Sequence, residues 1–429
     1  MGTHTDINQQ YEFSGKIKTW SLIAIVIGVV GVLYGFLIDP SDIAVQRTFS
    51  NLLLMSYYFA CVCIAAVFFL SYQYLAQAGW SASLLRLPQA MAKVLPIAAV
   101  ILVVVIVAGL FTTHEVVVDG VKEHAPYLYA HWATHGLTDP ASANYDPIIA
   151  GKSGLLNIYT FLGLLLLFLI AYTVSGLKLV KFSNDEDERG GMFNYNKSFK
   201  VAAIFLLIFG FTFPVFAFDT IMSLDAHWFS TMFGWYNLAA MHVSGLAIIV
   251  LFLIYLRKKG YMQWVSQDHL HNLGQLMFGF SIFWTYVWFG QFFLIWYANL
   301  PEETVYFYKR WEPEYKFWFW LNLVLNFLAP LLLLMSRDAK RLTARLKITA
   351  IILIIGHWLD YYIMIMPGTM HYHEGHTPHL WEQFGIQEVS IAVGFGGLLI
   401  YLTLSALSKF KSLVPKKHPF LDESLHHHI

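Results

Sequence analysis

The sequence predicts an all-α, polytopic membrane protein with ten transmembrane helices. Of its 429 residues, 57% are hydrophobic and only 13% are charged, whereas soluble domains carry about 25% charged residues. The apolar residues form runs of roughly 20, the length that a helix needs to cross a bilayer. Because these runs do not alternate apolar and polar residues, a membrane β-barrel is not expected.

Ten segments have the length and composition of a span. The first has no short apolar core followed by an A-x-A site, so we expect a retained helix and not a cleaved signal peptide. The order of the segments allows two four-helix bundles, although no strong internal repeat marks them. The predicted spans are 19–38, 53–78, 91–112, 154–180, 199–222, 235–256, 273–298, 317–336, 346–366 and 387–408.

The basic residues predict the direction of insertion. With ten spans, 21 of the 27 Lys and Arg residues lie on the side that holds both termini. Positively charged loops stay in the cytoplasm. We therefore expect both termini to be cytoplasmic.

The loops and the cysteines carry weaker signals. Loops 113–153, 299–316 and 367–386 are expected on the outer side, where they either dock a partner or face solvent. The charged, glycine-containing segment 181–198 is the best candidate for a mobile linker. Cys61 and Cys63 lie in one apolar segment, which predicts a packing role. With no C-x-x-C-H motif and no four-cysteine set, the chain is expected to hold no haem c or iron–sulfur cluster, and no other metal.

Ionisable residues at a membrane boundary mark the first candidate site. Asp219, Asp225 and His227 lie between two apolar segments, and Glu388 opens the last span. Such groups are costly at membrane depth and indicate function by default. They are candidates for a proton path at the outer surface. The alternative is a set of helix caps and interfacial polar residues.

Deeper candidates lie in spans six and nine. His242 is about 10 Å below the outer end of its span. His357 and Asp360 are three residues apart and share a helix face. Such a pair can pass protons or accept one from a bound quinol, whereas a buried ion pair that only fixes packing is the alternative. The inner half of the bilayer offers only weaker candidates, so the proton path is incomplete there. These candidates are Tyr172, Thr173, Ser175 and, at the cytoplasmic end of span seven, Asp268, His269 and His271.

Four stretches resemble a known family. They are DTIMSLDAHWFSTMFGWY (219–236), HNLGQLMFGFSIFWTYVWFGQFFLIWYANLPEET (271–304), NFLAPLLLLMSRDAKR (326–341) and HWLDYYIMIMP (357–367). They are similar to the ActF-type membrane subunits of bacterial alternative complex III, within the NrfD/PsrC-like family of quinol-interacting membrane proteins. Specific similarity covers residues 200–367, and the first 200 residues match mainly in pattern.

The resemblance implies a fold and a function. The fold would be two four-helix bundles, 53–222 and 235–366, with helices 19–38 and 387–408 at the periphery. The chain would be a subunit without a catalytic residue or redox cofactor, in a menaquinol:cytochrome c or quinol:oxidase oxidoreductase of the bacterial inner membrane. Its partners would be the NrfD-like ActC, an iron–sulfur subunit, c-type haem subunits, a terminal oxidase and membrane phospholipids. Its part would be a proton path through Asp219, Asp225, His227, His242, His357 and Asp360.

One departure and three alternatives accompany this hypothesis. Relatives often have Asp-Leu-Gly where this chain has Asn272-Leu273-Gly274, so Asp268 or His271 would have to take over proton uptake from the cytoplasm. The nearest alternative is a quinol-binding subunit that uses His357 and Asp360. A secondary transporter and an assembly scaffold are alternatives of other classes, although broken helices and inverted repeats, typical of transporters, are not evident.

Overall fold

A computed structural model of the protein describes residues 7–37, 41–118, 121–311, 313–370 and 384–427. About 79% of it is helical. Within the described residues, ten helices are long and apolar enough to cross a membrane. The predicted multi-pass helical architecture is thereby confirmed, whereas its direction in the membrane stays a prediction.

The chain up to residue 225 contains most of the short elements. Helices α3 and α4 together form one span, and β1 and β2 pair as an antiparallel hairpin. In order, the elements are α1 (Lys16–Leu37), α2 (Asp42–Leu75), a 3₁₀ turn (Gly79–Leu84), α3 (Arg86–Ala92), α4 (Leu95–Phe111), β1 (Thr113–Val118), β2 (Val121–Pro126), α5 (Ala130–Ala133), α6 (Pro147–Lys152), α7 (Ile158–Arg189), α8 (Met192–Thr220) and a 3₁₀ turn (Met222–Asp225).

The remainder is dominated by long helices. Helices α12 and α13 and the π turn between them form one span, Tyr315–Leu334. In order, the elements are α9 (Met232–Lys258), α10 (Gln267–Ala298), α11 (Pro301–Trp311), α12 (Pro313–Leu323), the π turn (Val324–Leu328), α13 (Ala329–Leu334), α14 (Arg337–Arg341), α15 (Thr343–Thr369), α16 (Ile386–Leu407) and α17 (Leu421–Leu425).

Helices α2 and α9 are the most buried of the spans. Helix α2 packs against α4, α8, α9 and α15, while α9 also packs against α10 and α15. Helices α1 and α16 pack together at the edge of the molecule, and α16 also contacts α2. Side chains on α2 therefore contact helices that come before and after residue 225.

Small residues let α1 and α16 approach closely. A Cβ atom added to Gly394 would lie 2.5 Å from the Cα atom of Gly28, and one added to Gly397 would lie 2.6 Å from the Cβ atom of Ala24. Helices in lipid associate through such small residues because van der Waals contact replaces the hydrophobic effect there.

Both ends of the described chain meet on one face, which we call the terminal face; the other is the opposite face. The amide of Leu413 donates to the carbonyl of Gln9 (2.9 Å), and the hydroxyl of Ser412 donates to the carbonyl of Ile7 (2.8 Å). Helix α17 packs against the 3₁₀ turn Gly79–Leu84. The segment after α16 therefore closes the terminal face.

Three expectations from sequence need correction. Residues 181–198 are helical except at Gly190 and Gly191, whose φ angles of 69° and 75° reverse the chain between α7 and α8. Helix α2 begins at Asp42 and not at 53, with the Ser41 hydroxyl capping the amide of Ala44. The loop predicted at 113–153 contains the β-hairpin. Residues 371–383 of the predicted loop 367–386 lie outside the described residues.

Candidate functional site

Asp360, on α15, is the centre of a buried polar network. Its carboxylate accepts hydrogen bonds from the Tyr236 hydroxyl, from the Asn322 amide (2.8 Å) and from the Trp284 indole (2.8 Å). These donors come from α9, α12 and α10. The side chain of Asp360 is fully buried, and these donors compensate part of the cost of burying a carboxyl group.

The local sequence explains how the network is assembled. Asn326 lies in the π turn and donates to the side-chain oxygen of Asn322 (2.5 Å), which orients the Asn322 amide toward Asp360. A Cβ atom on Gly356 would lie 2.3 Å from the Asn326 side-chain oxygen. Glycine is thus required where α15 crosses the π turn, a feature that frequently marks functional sites.

His357 lies beside Asp360 but does not share the network. Its Nδ1 atom is 3.6 Å from a carboxylate oxygen of Asp360, and both side chains are fully buried. Neither ring nitrogen has a hydrogen-bond partner among the described residues. Buried polar groups are nearly always satisfied by protein or water, so water or a ligand is the natural partner of this imidazole.

His242 occupies a separate, aromatic environment. Its Nε2 atom is 3.3 Å from the hydroxyl of Tyr72 on α2. The rings of Phe68, Tyr72 and Phe280 surround it, with centroids at 4.9, 5.4 and 4.4 Å. The structure therefore does not bring His242 into contact with Asp360, although Tyr236 and His242 are on the same helix about 9 Å apart.

Tyrosines on α2 line the contact with α9 and α15. The Tyr57 hydroxyl donates to the Asn237 side chain (3.3 Å), and the Tyr58 hydroxyl donates to the carbonyl of Ile354 (3.1 Å). Tyr361, next to Asp360, packs against both rings with centroids at 5.4 Å. Hydroxyl groups thus connect the surroundings of Asp360 with α2.

Asp225 is held by two cations on the opposite face. Its carboxylate accepts from Lys309 (2.9 Å) and from the buried guanidinium of Arg310 (3.1 Å). Burial alone would raise the pKa of Asp225, but the charges of Arg310 and Lys309 outweigh it and lower the pKa to about 2. A carboxylate bound in this way is suited to anchoring α11 more than to exchanging protons.

Arg310 also donates to a backbone carbonyl of α15 that lacks a partner within the helix because of Pro367. Pro367 has no N–H group, so the carbonyl of Ile363, four residues earlier, loses its partner within α15. The guanidinium of Arg310 donates to that carbonyl (2.9 Å) and to the carbonyl of Met364 (3.0 Å). Its Cζ atom lies 3.3 Å from the centroid of the Tyr306 ring, and burial raises the pKa of Tyr306 to about 12.

The other candidates on the opposite face have separate surroundings. His227 is exposed and its Nε2 atom is 2.5 Å from Asp146, which also caps α6. Burial would raise the pKa of Asp146, but the bond to His227 and the amides of α6 lower it. Asp219 is almost fully buried, and one of its carboxylate oxygens has no partner in the described part of the chain.

Glu388 joins α16 to α2. Its two oxygens accept from Arg47, each at 2.7 Å, and one also accepts from the Asn51 amide (2.8 Å). The backbone amide of Gly385 donates to the other oxygen (2.8 Å). Bidentate pairing with arginine is strong and geometrically specific, so the geometry of Glu388 favours a structural role.

A second acid-centred cluster, which sequence reasoning missed, lies toward the terminal face. Glu186 is fully buried, and neither of its carboxylate oxygens has a partner in the residues that the structure describes. Buried polar atoms without a hydrogen bond recur around it, which is typical of sites that hold ordered water. They belong to Tyr74 and Tyr195, which interact electrostatically with Glu186, to Ser183 and Ser198 beside Tyr74, and to Gln89, which Arg86 contacts.

Arg86 forms one wall of this second cluster. Its buried guanidinium pairs with Asp187 and donates to Asn184 (2.8 Å) and Gln89 (2.7 Å). His418, from the segment that closes the terminal face, packs against Tyr195 with ring centroids 5.4 Å apart. Burial and the Arg86 charge lower the pKa of His418 to about 4. The charged run 184–189 could have indicated this cluster only if it had been interpreted as a helix with one buried face.

Residues near the N-terminal end of α10 contact other parts of the chain. Asp268 pairs with Arg341 (2.8 Å), and Asn272 contacts His427 (3.0 Å). His271 is buried near the terminal face. Asn272, near the start of α10, thus contacts the segment that follows α17.

Comparison of the chain with protein-family models and with curated proteins finds no match. The resemblance to the NrfD/PsrC-like family stays a prediction. Among the predicted residues, the structure brings His357 and Asp360 together and keeps Asp219, Asp225, His227, His242 and Glu388 in distinct surroundings. In the part of the chain that the structure describes, no group of three or more His, Cys, Asp or Glu side chains is arranged to hold a metal ion.

Proposed function

We propose that the chain is a non-redox integral membrane subunit of a quinol:cytochrome c or quinol:oxidase oxidoreductase complex, and that it provides a proton path. Its partners would be an ActC-like subunit, iron–sulfur and c-type haem subunits and, in some assemblies, a terminal oxidase, in a bacterial inner membrane. Haem c, iron–sulfur clusters and menaquinol would belong to those partners. The family resemblance supports this assignment.

The observation that supports the proton path is the presence of two buried carboxyl clusters at different depths. Asp360 lies about 13 Å from the end of α15 on the opposite face, and Glu186 lies near the terminal-face end of α7. Both are fully buried. Buried carboxyl groups inside membrane proteins are typical of proton relays. Neutral side chains donate to Asp360, whereas the Arg86–Asp187 ion pair borders Glu186.

Helix α2 links the two clusters. Tyr57 and Tyr58 contact the surroundings of Asp360, Tyr72 contacts His242, and Tyr74 belongs to the Glu186 cluster. The distance along α2 from Tyr57 to Tyr74 is about 25 Å, most of a bilayer core of about 30 Å. Waters between these hydroxyl groups would complete a hydrogen-bonded chain.

The test measures protons released per electron transferred during quinol oxidation by the purified complex. Asp360→Asn and Glu186→Gln should each lower this ratio, because each removes a carrier while keeping the size of the side chain. Asp422→Asn, at an exposed position on α17, is the control and should leave the ratio unchanged. An unaltered ratio in both test variants would sink the proton-path proposal.

The second candidate function is quinol binding at His357 and Asp360. The unpartnered imidazole of His357 favours it, because a quinol hydroxyl could donate to that ring. A photoreactive quinone should then label peptides around residue 357, and His357→Phe should abolish the labelling. Labelling confined to another subunit would reject this candidate.

A further inference from the structure

A cleft on the opposite face contains polar groups that the proton path proposed through Asp360 and Glu186 does not use. Its volume is about 470 Å³. The turn before α7 (151–156), the last turn of α8 (215–219) and the turn that follows (222–229) contribute its walls. Apolar side chains predominate in these walls, and three side chains supply polar atoms with unused hydrogen-bonding capacity.

Those three side chains form a donor and acceptor set. Asp219 and Trp228 are 7% and 4% exposed, and the structure gives no partner to one carboxylate oxygen of Asp219 or to the indole N–H of Trp228. Lys152 donates to the carbonyl of Ala226 (2.6 Å). An ammonium group has three N–H donors, so Lys152 keeps capacity for another acceptor.

The surroundings of the cleft indicate which class of ligand can enter it. Asp219 is the next-to-last residue of α8, so the cleft lies where that span ends. Large apolar side chains are exposed on the turn before α7, on α7 and α8, and on the turn after α8, including Leu155, Tyr159, Phe211 and Phe229. Aromatic and aliphatic side chains exposed at this depth contact lipid in a bilayer.

We propose that the cleft binds the headgroup of a zwitterionic aminophospholipid such as phosphatidylethanolamine. The ammonium group of the lipid donates to the free oxygen of Asp219, and its phosphate accepts from Lys152 and from the indole N–H of Trp228. The acyl chains follow the exposed surface of α7 and α8. A lipid without an amine would leave the Asp219 carboxylate unpaired beside a phosphate, an arrangement that like charges disfavour. A choline headgroup has no N–H to donate.

The experiment uses native mass spectrometry of the full-length protein, in its complex, after equilibration with equal amounts of phosphatidylethanolamine, phosphatidylglycerol and phosphatidylcholine. Wild-type protein should retain phosphatidylethanolamine about tenfold over the other two, the ratio expected of one charge-assisted hydrogen bond. Asp219→Asn should reduce the preference to near parity. Glu302→Gln, at an exposed position on α11, is the control and should retain it.

A second variant tests the proposal independently of any misfolding that Asp219→Asn causes. Trp228→Phe removes the N–H donor and keeps a ring that can stack on Tyr306, whose centroid is 3.7 Å from that of Trp228. It should weaken retention of all phospholipids without changing the order of preference. Equal retention of the three lipids by wild type, or a preference unchanged in Asp219→Asn, would overturn the proposal. Since the measurement involves no turnover, its outcome is independent of the proton path.

Discussion

Asp225 and Asp360 both carry buried carboxyl groups, but the groups that bind the two carboxylates differ in charge. Asp225 is bound to Arg310 and Lys309, whereas Asp360 is bound by neutral donors, with His357 at 3.6 Å. Protonating Asp225 would leave the buried guanidinium of Arg310 unpaired, which is costly. Protonating Asp360 creates no such unpaired cation. Of the two, Asp360 is the better candidate for proton transfer.

The low pKa of Asp225 predicts a pH dependence of stability. A pKa of about 2, below the ordinary 3.8, stabilises the folded state above pH 3.8, and this stabilisation is lost as the pH falls toward 2. We expect the free energy of unfolding to decrease by about 2 kcal/mol over that window. Thermal or denaturant unfolding in detergent between pH 6 and 2 measures it.

The two partners of Asp225 provide the comparison for this pH effect. Arg310→Gln, which removes the buried charge, should flatten the pH dependence more than Lys309→Gln, because Lys309 is partly exposed to solvent. Equal slopes in wild type and Arg310→Gln would show that the ion pair does not govern stability at low pH.

Among the elements, α11 and α15 are joined at the carbonyl that Pro367 leaves free. The planar guanidinium of Arg310 donates hydrogen bonds to the carboxylate of Asp225 and to three backbone carbonyls, those of Tyr306, Ile363 and Met364. Arg310→Lys keeps the charge but cannot reproduce this fork of donors. We expect it to destabilise the protein by about 3 kcal/mol, as for breaking a buried pair. Unfolding measurements should find the exchange Lys309→Arg, at the neighbouring position, nearly neutral.

The contact between α1 and α16 depends on particular glycines. Gly394→Ala places a methyl group 2.5 Å from the Cα atom of Gly28, whereas a Cβ atom on Gly396, in the same helix, meets nothing within 4 Å. We expect Gly394→Ala to cost about 1–3 kcal/mol through overpacking. Gly396→Ala should be neutral or slightly stabilising. Cysteine cross-linking between α1 and α16 reports whether the pair separates; equal yields in both variants would contradict the close contact.

The helices could be predicted from sequence more fully than the site. Hydropathy alone locates ten spans, because lipid requires every one of them to be long and apolar. The pair His357–Asp360 also follows from helical spacing. The donors to Asp360 could not be predicted, because Tyr236, Trp284 and Asn322 come from three other helices. Glu186 was missed since a run of charged residues resembles a solvated linker until Arg86 is known to cover it.

For the whole molecule, the charge distribution predicts one orientation. The face on which both termini meet should be cytoplasmic, since most of the Lys and Arg residues belong to it. Single cysteines at exposed Lys411 and at exposed Glu302 on α11 should react with a membrane-impermeant maleimide from opposite sides of oriented vesicles. Labelling of position 411 in intact cells, before lysis, would reverse the assignment.

The pairing of α1 with α16 has a consequence for biosynthesis. Helix α1 is synthesised long before α16, so its glycine surface stays uncovered until α16 is in place, and loop closure over so many residues is slow. During that interval α1 is held chiefly by its contact with α2. Truncated or stalled chains would therefore expose this surface to membrane proteases, so that unfinished molecules could be removed before assembly.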